Sequence, residues 1–219
     1  MALSKLTYNS LNVTAAANKG IGFDSDPDAL QADYSAGAMT FIMKLTASSS
    51  ATLSFVDGTS DVVLDNTYKE YLFIWNNCHP ATNSVYFTFQ GNAAGGSGYN
   101  ETITSTAFRC YHNEAGNDSD LEYYAANDQG QGTAFQRLGI TINNSNDNST
   151  SGFLRLFNPS STTFVKHFIA TSQEIIDDTY SMQQYTAGYF NTTSAIDEIQ
   201  FKMSSGNIDA GTIQLIGIT

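Results

Sequence analysis

The chain has 219 residues, of which 41% are hydrophobic. Only 14% are charged, against roughly 25% in an ordinary soluble domain. A chain of this length buries about 70% of the surface that its unfolded form exposes, so one domain with one core is expected. Nine Lys and Arg stand against 21 Asp and Glu, which gives a net charge of −12. This balance argues against nucleic-acid binding, because phosphate recognition depends on clustered cations.

The composition also argues against a membrane protein. The nine cations are scattered singly along the chain, so no basic cluster would draw it to an anionic membrane. The apolar runs fall far short of the ~20 residues that a membrane helix needs. Residues 1–11 alternate between apolar and polar types instead of forming the apolar block of a signal peptide. We therefore expect no membrane insertion and no export by that route.

Residues 1–37 differ in texture from the rest of the chain. Residues 6–13 are a candidate strand, residues 14–22 are small and polar, and residues 26–33 favour a short helix or turn. We interpret residues 1–37 as an N-terminal arm or edge segment. Residues 38–219 are predicted to form a single β-sandwich domain.

Within residues 38–219 the dominant hydrophobic period is two, and no long amphipathic helix competes with it. The segments with this pattern are rich in β-branched and aromatic residues, which favour strands. The predicted strands cover residues 45–56, 71–75, 84–89, 138–142 and 212–218.

Turn-forming clusters of Gly, Asn, Asp and Ser separate these strands. One hairpin is predicted from residues 153–157 and 163–169, turning at Asn158 and Pro159, and a second from residues 196–203 and 211–218. Residues 174–178 favour a short helix or turn. Short strands with one buried face each must close a core against one another. The predicted fold is therefore an all-β, antiparallel, two-sheet jelly-roll sandwich.

Two Cys and two His form the strongest candidate for a metal-binding set. Cys110 and His112 would lie on one face of a strand, but the adjacent Cys78 and His79 would point to opposite faces. Zinc sites generally use wider spacings than adjacent residues. We therefore predict no metal site here, and leave open whether the two Cys form a disulfide.

Three loops rich in Asp and Asn could hold calcium, namely residues 24–28, 113–120 and 143–148. None of them has the twelve-residue pattern with Gly at position six and Glu at position twelve. We favour solvated loops and predict neither calcium nor any other cofactor. The sequence also lacks a nucleophile elbow, a phosphate-binding loop and a glycosidase carboxylate signature. We expect no enzymatic activity.

The best candidate for a functional surface is the pair Tyr123 and Tyr124, which follows the acidic residues Asp118 and Asp120. Exposed aromatic rings beside carboxylates could stack on and hydrogen-bond a sugar. The same residues could pack against a neighbouring subunit, which we favour.

Two parts of the sequence resemble structural proteins of tailed double-stranded DNA phages, notably marine and cyanobacterial ones. The first is YKEYLFIWNN at residues 68–77, followed by HPATNSVYFTFQ at residues 79–90. The second is IDEIQF at residues 196–201, followed by SSGNIDAGTIQLIG at residues 204–217. In those proteins, concanavalin-like jelly rolls serve in tail fibres, tail appendages and capsid decorations.

The resemblance implies a virion protein, assembled in a bacterial host cytoplasm with other virion proteins. We expect a non-enzymatic tail or fibre component whose exposed loops contact the host surface. A homo-oligomer is expected, with a trimer favoured, because symmetric association covers sheet edges. A capsid decoration protein and a lectin-like module that binds host glycans remain the alternatives.

Overall fold

The computed structural model describes residues 22–23, 30–31 and 38–219. The chain divides into two units, Met1–Ala38 and Met39–Thr219. In the first unit, the two-residue strands β1 (Gly22–Phe23) and β2 (Leu30–Gln31) pair antiparallel. The predicted strand at residues 6–13 lies outside the described residues, as does most of the predicted helix or turn at residues 26–33.

The second unit is an all-β sandwich of two antiparallel sheets, as the sequence predicts. The large sheet has eight strands in the spatial order β3, β14, β5, β10, β11, β12, β7 and β8, and the small sheet has the order β4, β13, β6 and β9. The strands are β3 (Met39–Thr46), β4 (Leu53–Val56), β5 (Glu70–Pro80), β6 (Phe87–Ala93), β7 (Ile103–Asn113), β8 (Ser119–Tyr123), β9 (Gln136–Arg137), β10 (Thr150–Phe157), β11 (Lys166–Ile176), β12 (Tyr180–Phe190), β13 (Ile196–Met203) and β14 (Ile208–Ile218).

The main core lies between the inner faces of the two sheets and is largely aromatic. Phe73 and Trp75 of β5 meet Phe87 and Phe201 of the small sheet, and all four side chains are fully buried. The rings of Phe87 and Phe201 stack with centroids 5.8 Å apart, and Phe73 lies 5.6 Å from Phe201. The predicted burial of Trp75 is confirmed.

A second region of the interior is polar. The irregular chain between β8 and β10 packs on inner-face positions of β11 and β12, and its backbone groups need hydrogen-bond partners once buried. Ser172 donates to the carbonyl of Leu138 at 2.5 Å, and the Asn127 side chain donates to Gln184 at 2.6 Å. The buried polar side chains of β11 and β12 therefore form hydrogen bonds with this irregular segment, where a facing strand would offer apolar side chains.

The predicted hairpin at residues 196–203 and 211–218 is wrong. β13 belongs to the small sheet and β14 to the large sheet, so the chain crosses the sandwich between them. Ser204 donates its backbone N–H to Tyr86 at 2.8 Å, and the carbonyl of Asn207 accepts from Ala81 at 3.0 Å. Alternating residues with one buried face suit two facing strands as well as two paired ones, so the pattern alone does not distinguish them.

Two other predicted strands also differ from the structure. Residues 45–56 contain the end of β3 and the whole of β4, separated by the non-strand residues 47–52. Residues 138–142 form no strand and make only scattered contacts, such as the hydrogen bond from Leu138 N–H to the Phe87 carbonyl at 3.0 Å. Residues 84–89 become a strand only from Phe87 onwards.

The hairpin predicted around Asn158 is confirmed as β10 and β11, which begins at Lys166 rather than residue 163. Residues 174–178 comprise the end of β11 and part of a turn, in which Asp177 and Asp178 have φ angles of 49° and 58°. Beside this hairpin, a bulge in the pairing of β10 with β5 brings Gly152 against Trp75. A Cβ at Gly152 would lie 2.6 Å from the indole and 2.2 Å from the Thr171 carbonyl, so only glycine fits.

Candidate functional site

The structure places Tyr123 and Tyr124 on opposite sides of the large sheet. Tyr123 ends β8 opposite Phe108 and is 63% exposed on the outer face, which points away from the small sheet. Tyr124 packs on the inner side with Ile140, and the Arg109 guanidinium lies 3.7 Å from the centre of its ring. The two adjacent tyrosines therefore do not form a common rim.

Asp118 lies instead at a small cleft on the inner side. This cleft of about 250 Å³ is lined by Arg109, Tyr111, Asp118, Ile140, Ile176, Asp177 and Tyr180. The Tyr180 hydroxyl donates to Asp118 at 2.9 Å. Asp120 pairs with Tyr111 across the β7–β8 ladder, and its carboxylate accepts from the Leu121 backbone N–H at 2.7 Å.

The charged groups around this cleft are mainly acidic, because Asp118 and Asp177 line it beside the single cation Arg109. Arg109 forms an ion pair with Glu122 at 2.5 Å, so its charge is already balanced. The hydrogen bond to Asp118, followed by burial, raises the pKa of Tyr180. Burial and then the nearby carboxylates raise the pKa of Tyr111. Both hydroxyls therefore stay protonated, and the Tyr180 hydroxyl is already engaged as the donor to Asp118.

Glu174 lies inside the fold near this cleft. Its carboxyl is fully buried, and its Oε1 accepts from the Ile140 backbone N–H at 2.5 Å. Its other oxygen has no hydrogen-bond partner among the residues that the structure describes. Burial raises the pKa of Glu174 to about 8, so the buried acid is protonated at neutral pH. The sequence patterns did not single out Glu174 for this role.

The Cys and His residues of the two pairs do not come together. Cys78 is on β5 and Cys110 is on β7, four strands away in the large sheet. At about 4.8 Å per strand this separation is about 19 Å, too far for one metal ion or for a disulfide. Both thiols are free. Burial raises the pKa of Cys78 to about 12, so this thiol is unreactive.

Within the described parts of the chain, no three His, Cys, Asp or Glu side chains are grouped as a metal site requires. No helix in those parts is long and apolar enough to cross a membrane.

The most extensive candidate surface is the outer face of the large sheet. Its side chains align in two rows that cross the strands. The first row is Phe41, Ile216, Leu72, Arg155, Ile169, Ala187 and Thr106. The second row is Lys44, Gln214, Ile74, Phe153, Thr171, Tyr185, Phe108 and Tyr123. Both rows are mainly apolar.

Nearly all of the large apolar side chains that the second unit exposes lie on this face. They are Met39, Phe41, Phe108, Leu121, Tyr123, Phe153, Ile169 and Tyr185, and the ninth, Phe164, lies in the β10–β11 loop. Phe108 and Tyr185 stack with their ring centroids 4.7 Å apart. Contiguous apolar surface of this kind marks an interaction site more often than a free surface.

The outer face also differs from the rest of the chain in charge. Its two rows contain the cations Lys44 and Arg155 and no carboxylate, although the net charge of the chain is −12. Arg155 contacts the carboxylate of Glu70, one position beyond the first row. The face is therefore close to neutral.

One part of the outer face is concave. A groove of about 500 Å³ crosses β10, β11, β12 and β7. Ala187 forms its floor, because its methyl group is short beside Ile169, its neighbour in the ladder. Phe157, His167 and Tyr189 line its sides.

Comparison of the chain with protein-family models, with curated proteins and with solved structures finds no match.

Proposed function

We propose that this protein is a non-enzymatic structural subunit of a tailed-phage particle, a tail or fibre component, that assembles with further copies of itself through the outer face. The observation that carries the proposal is that the two rows of this face are mainly apolar and contain no carboxylate, in a chain with a net charge of −12. Burial of exposed apolar side chains such as Phe153 and Ile169 lowers the free energy of association by about 25 cal/mol for each Å² removed from water.

The size of the outer face suits self-association. Eight strands at about 4.8 Å spacing and about five residues of strand length give about 650 Å². A stable interface buries about 800 Å² on each partner. A second copy is the partner that we favour, because the two rows contain no carboxylate and the adjacent Glu70 is paired with Arg155, so two acidic chains would repel each other little at this face.

The phage setting rests on the resemblance of residues 68–90 and 196–217, and on a surface rich in Ser, Thr and Asn. The strand order, in which sequence neighbours often lie in different sheets, is compatible with the concanavalin-like jelly roll that we propose. We propose a virion location and a homo-oligomer, with a trimer favoured. The cleft at Tyr111 and Tyr180 would serve for contact with host-surface glycans.

Introducing a carboxylate into the outer face is expected to dissociate the oligomer. Phe153→Asp and Phe108→Asp each place a charge in the second row, where burial without a partner costs several kcal/mol. We expect each variant to lower the association constant at least 100-fold. Light scattering after size-exclusion chromatography, over a range of chain concentrations, measures this change.

Ser205→Asp is the matched control, because Ser205 is exposed in the turn between the two sheets, away from the outer face. This variant should associate like the unaltered chain. A chain that is monomeric at about 100 μM, or oligomers that survive both aspartate variants, would contradict the proposed assembly surface.

Labelling of the virus particle tests the phage assignment. Antibody raised against this chain and tagged with gold should bind the tail of purified particles in electron micrographs. Label confined to the icosahedral shell would indicate a capsid decoration protein. No label on the particle, together with retention of the chain on a glycan array, would favour the lectin-like alternative.

A further inference from the structure

We propose that Phe164 is the anchor of the self-association, and that its ring inserts into the groove around Ala187 on a second copy of this chain. This inference rests on the proposed assembly through the outer face and specifies which contacts hold it together. It follows from an exposed aromatic ring on a hydrogen-bonded loop and an apolar groove near that loop.

Phe164 is presented to solvent by a loop with many internal hydrogen bonds. Its side chain is 68% exposed, although the ring is entirely apolar. The Ser161 hydroxyl accepts from the backbone N–H groups of Thr163 and Phe164, at 3.2 and 3.0 Å. The N–H of Ser161 donates to the Asn158 carbonyl at 3.0 Å. A loop backbone held in this way loses little conformational freedom on binding, which favours an anchoring role for the ring that it carries.

Backbone contacts fix the same loop to the sandwich at both of its sides. The Asn158 N–H donates to Lys69 at 2.6 Å, and the Pro159 carbonyl accepts from Ile196 at 2.9 Å. Pro159 itself is buried. The loop therefore connects β10 with segments of both sheets, and packing against the described residues does not explain its exposed phenylalanine.

The groove offers a site of matching chemistry. Its apolar floor at Ala187 and its aromatic sides at Phe157 and Tyr189 suit a phenyl ring, which prefers edge or offset contact with other rings. Phe164 does not line the groove of its own chain among the described residues. The groove contains no carboxylate, so a second acidic chain can approach it.

The positions of the anchor and the groove allow each copy to insert its Phe164 into a second copy and to accept the Phe164 of another copy. Phe157 ends β10 and Lys166 begins β11, so the loop that carries Phe164 starts at the same end of these strands as the groove. An anchor and a groove close together on one surface can meet their counterparts in a closed assembly. An open chain of subunits is not required.

The test uses the full chain and two complementary substitutions. Phe164→Ala removes the anchor and leaves the groove, whereas Ala187→Trp fills the groove and leaves the anchor. Each alone is expected to weaken self-association at least tenfold, since aromatic anchors dominate interface energies. Thr163→Ala, at the exposed neighbouring position, should leave the association constant unchanged.

Mixing the two variants provides the decisive measurement. In each mixed pair, the Phe164→Ala chain keeps its groove and the Ala187→Trp chain keeps its anchor. One complete contact between anchor and groove can therefore form. The mixture should therefore associate at least threefold more tightly than either variant alone, as measured by sedimentation velocity with one variant fluorescently labelled. Equal association of the mixture and the separate variants would overturn the proposal. Thermal unfolding of each variant establishes that it is folded, and Ala187→Met replaces the tryptophan variant if that one is not.

Failure of this inference is separable from failure of the proposed function. Phe153 and Phe108 do not line the groove. If their aspartate variants dissociate the oligomer while Phe164→Ala and Ala187→Trp do not, the outer face is the interface and Phe164 is not its anchor. If the unaltered chain is monomeric, both proposals fail.

Discussion

Replacing Phe201 with alanine is expected to lower the free energy of unfolding by about 3–5 kcal/mol. Phe201 lies on β13 and is fully buried. Its ring pairs with five other aromatic rings from both sheets, those of Phe55, Phe73, Trp75, Phe87 and Phe89. Removing it opens a cavity where the two sheets meet, and rigid rings relax poorly into such a space.

Denaturant unfolding followed by tryptophan fluorescence measures this loss, because Trp75 lies 6.4 Å from Phe201 between ring centroids. Phe164→Ala is the matched control, since the same substitution at a side chain that is 68% exposed should cost less than about 0.5 kcal/mol. Both are compared at chain concentrations low enough that association makes no contribution. Equal losses at the two positions would show that the aromatic cluster is not the centre of the core.

The sequence predicts the class of fold well, because alternation with one buried face is a local property. The strand segment at residues 71–75 and the hairpin around Asn158 depend on residues close together in the chain, and both are confirmed. Whether two strands pair or face each other depends on distant contacts. The predicted terminal hairpin fails for this reason, since β13 and β14 show the same alternation as paired strands.

The sequence contains a signal for the apolar outer face that the predicted alternation of buried and exposed residues does not use. Residues 71–75 and 153–157 are nearly continuous apolar runs instead of alternating ones. A strand of this type is typically covered on both faces. The residues Leu72, Ile74 and Phe153 therefore signalled a second apolar face, which we now interpret as the assembly surface.

The candidate site at Tyr123 and Tyr124 illustrates a different difficulty. Adjacent residues of a strand point to opposite faces. The contacts of each tyrosine therefore depend on the residue at which β8 ends, which is Tyr123. The sequence did not place that end. The structure brings Tyr124 to Arg109 and Asp118 to Tyr180, through contacts between segments far apart in the sequence.

The stability of the unaltered chain is expected to fall as the pH rises from about 4.5 to about 8, and Glu174→Gln is expected to remove this dependence. In the unfolded chain the Glu174 carboxyl loses its proton near its ordinary pKa of 4.5, whereas burial holds the pKa in the folded chain at about 8. Below pH 4.5 both forms are protonated. Between the two values only the unfolded chain gains by ionising, so the folded chain loses stability.

Each pH unit in this window costs about 1.4 kcal/mol, so the full effect is on the order of 3–5 kcal/mol. Glutamine has the size of the protonated acid, and its carbonyl can accept from the Ile140 N–H as Glu174 does. The variant should therefore unfold like the unaltered chain at pH 4. At pH 8 it should be the more stable of the two by a few kcal/mol.

Denaturant unfolding at a series of pH values between 4 and 9 measures the difference between the two curves. Glu114→Gln is the matched control, because Glu114 is exposed in the β7–β8 turn and its substitution should leave the slope of the curve unchanged. Parallel curves for Glu174→Gln and the unaltered chain would mean that the buried carboxyl is not protonated in the fold. A slope lost only in Glu174→Gln would identify it as the acid that the sandwich keeps neutral.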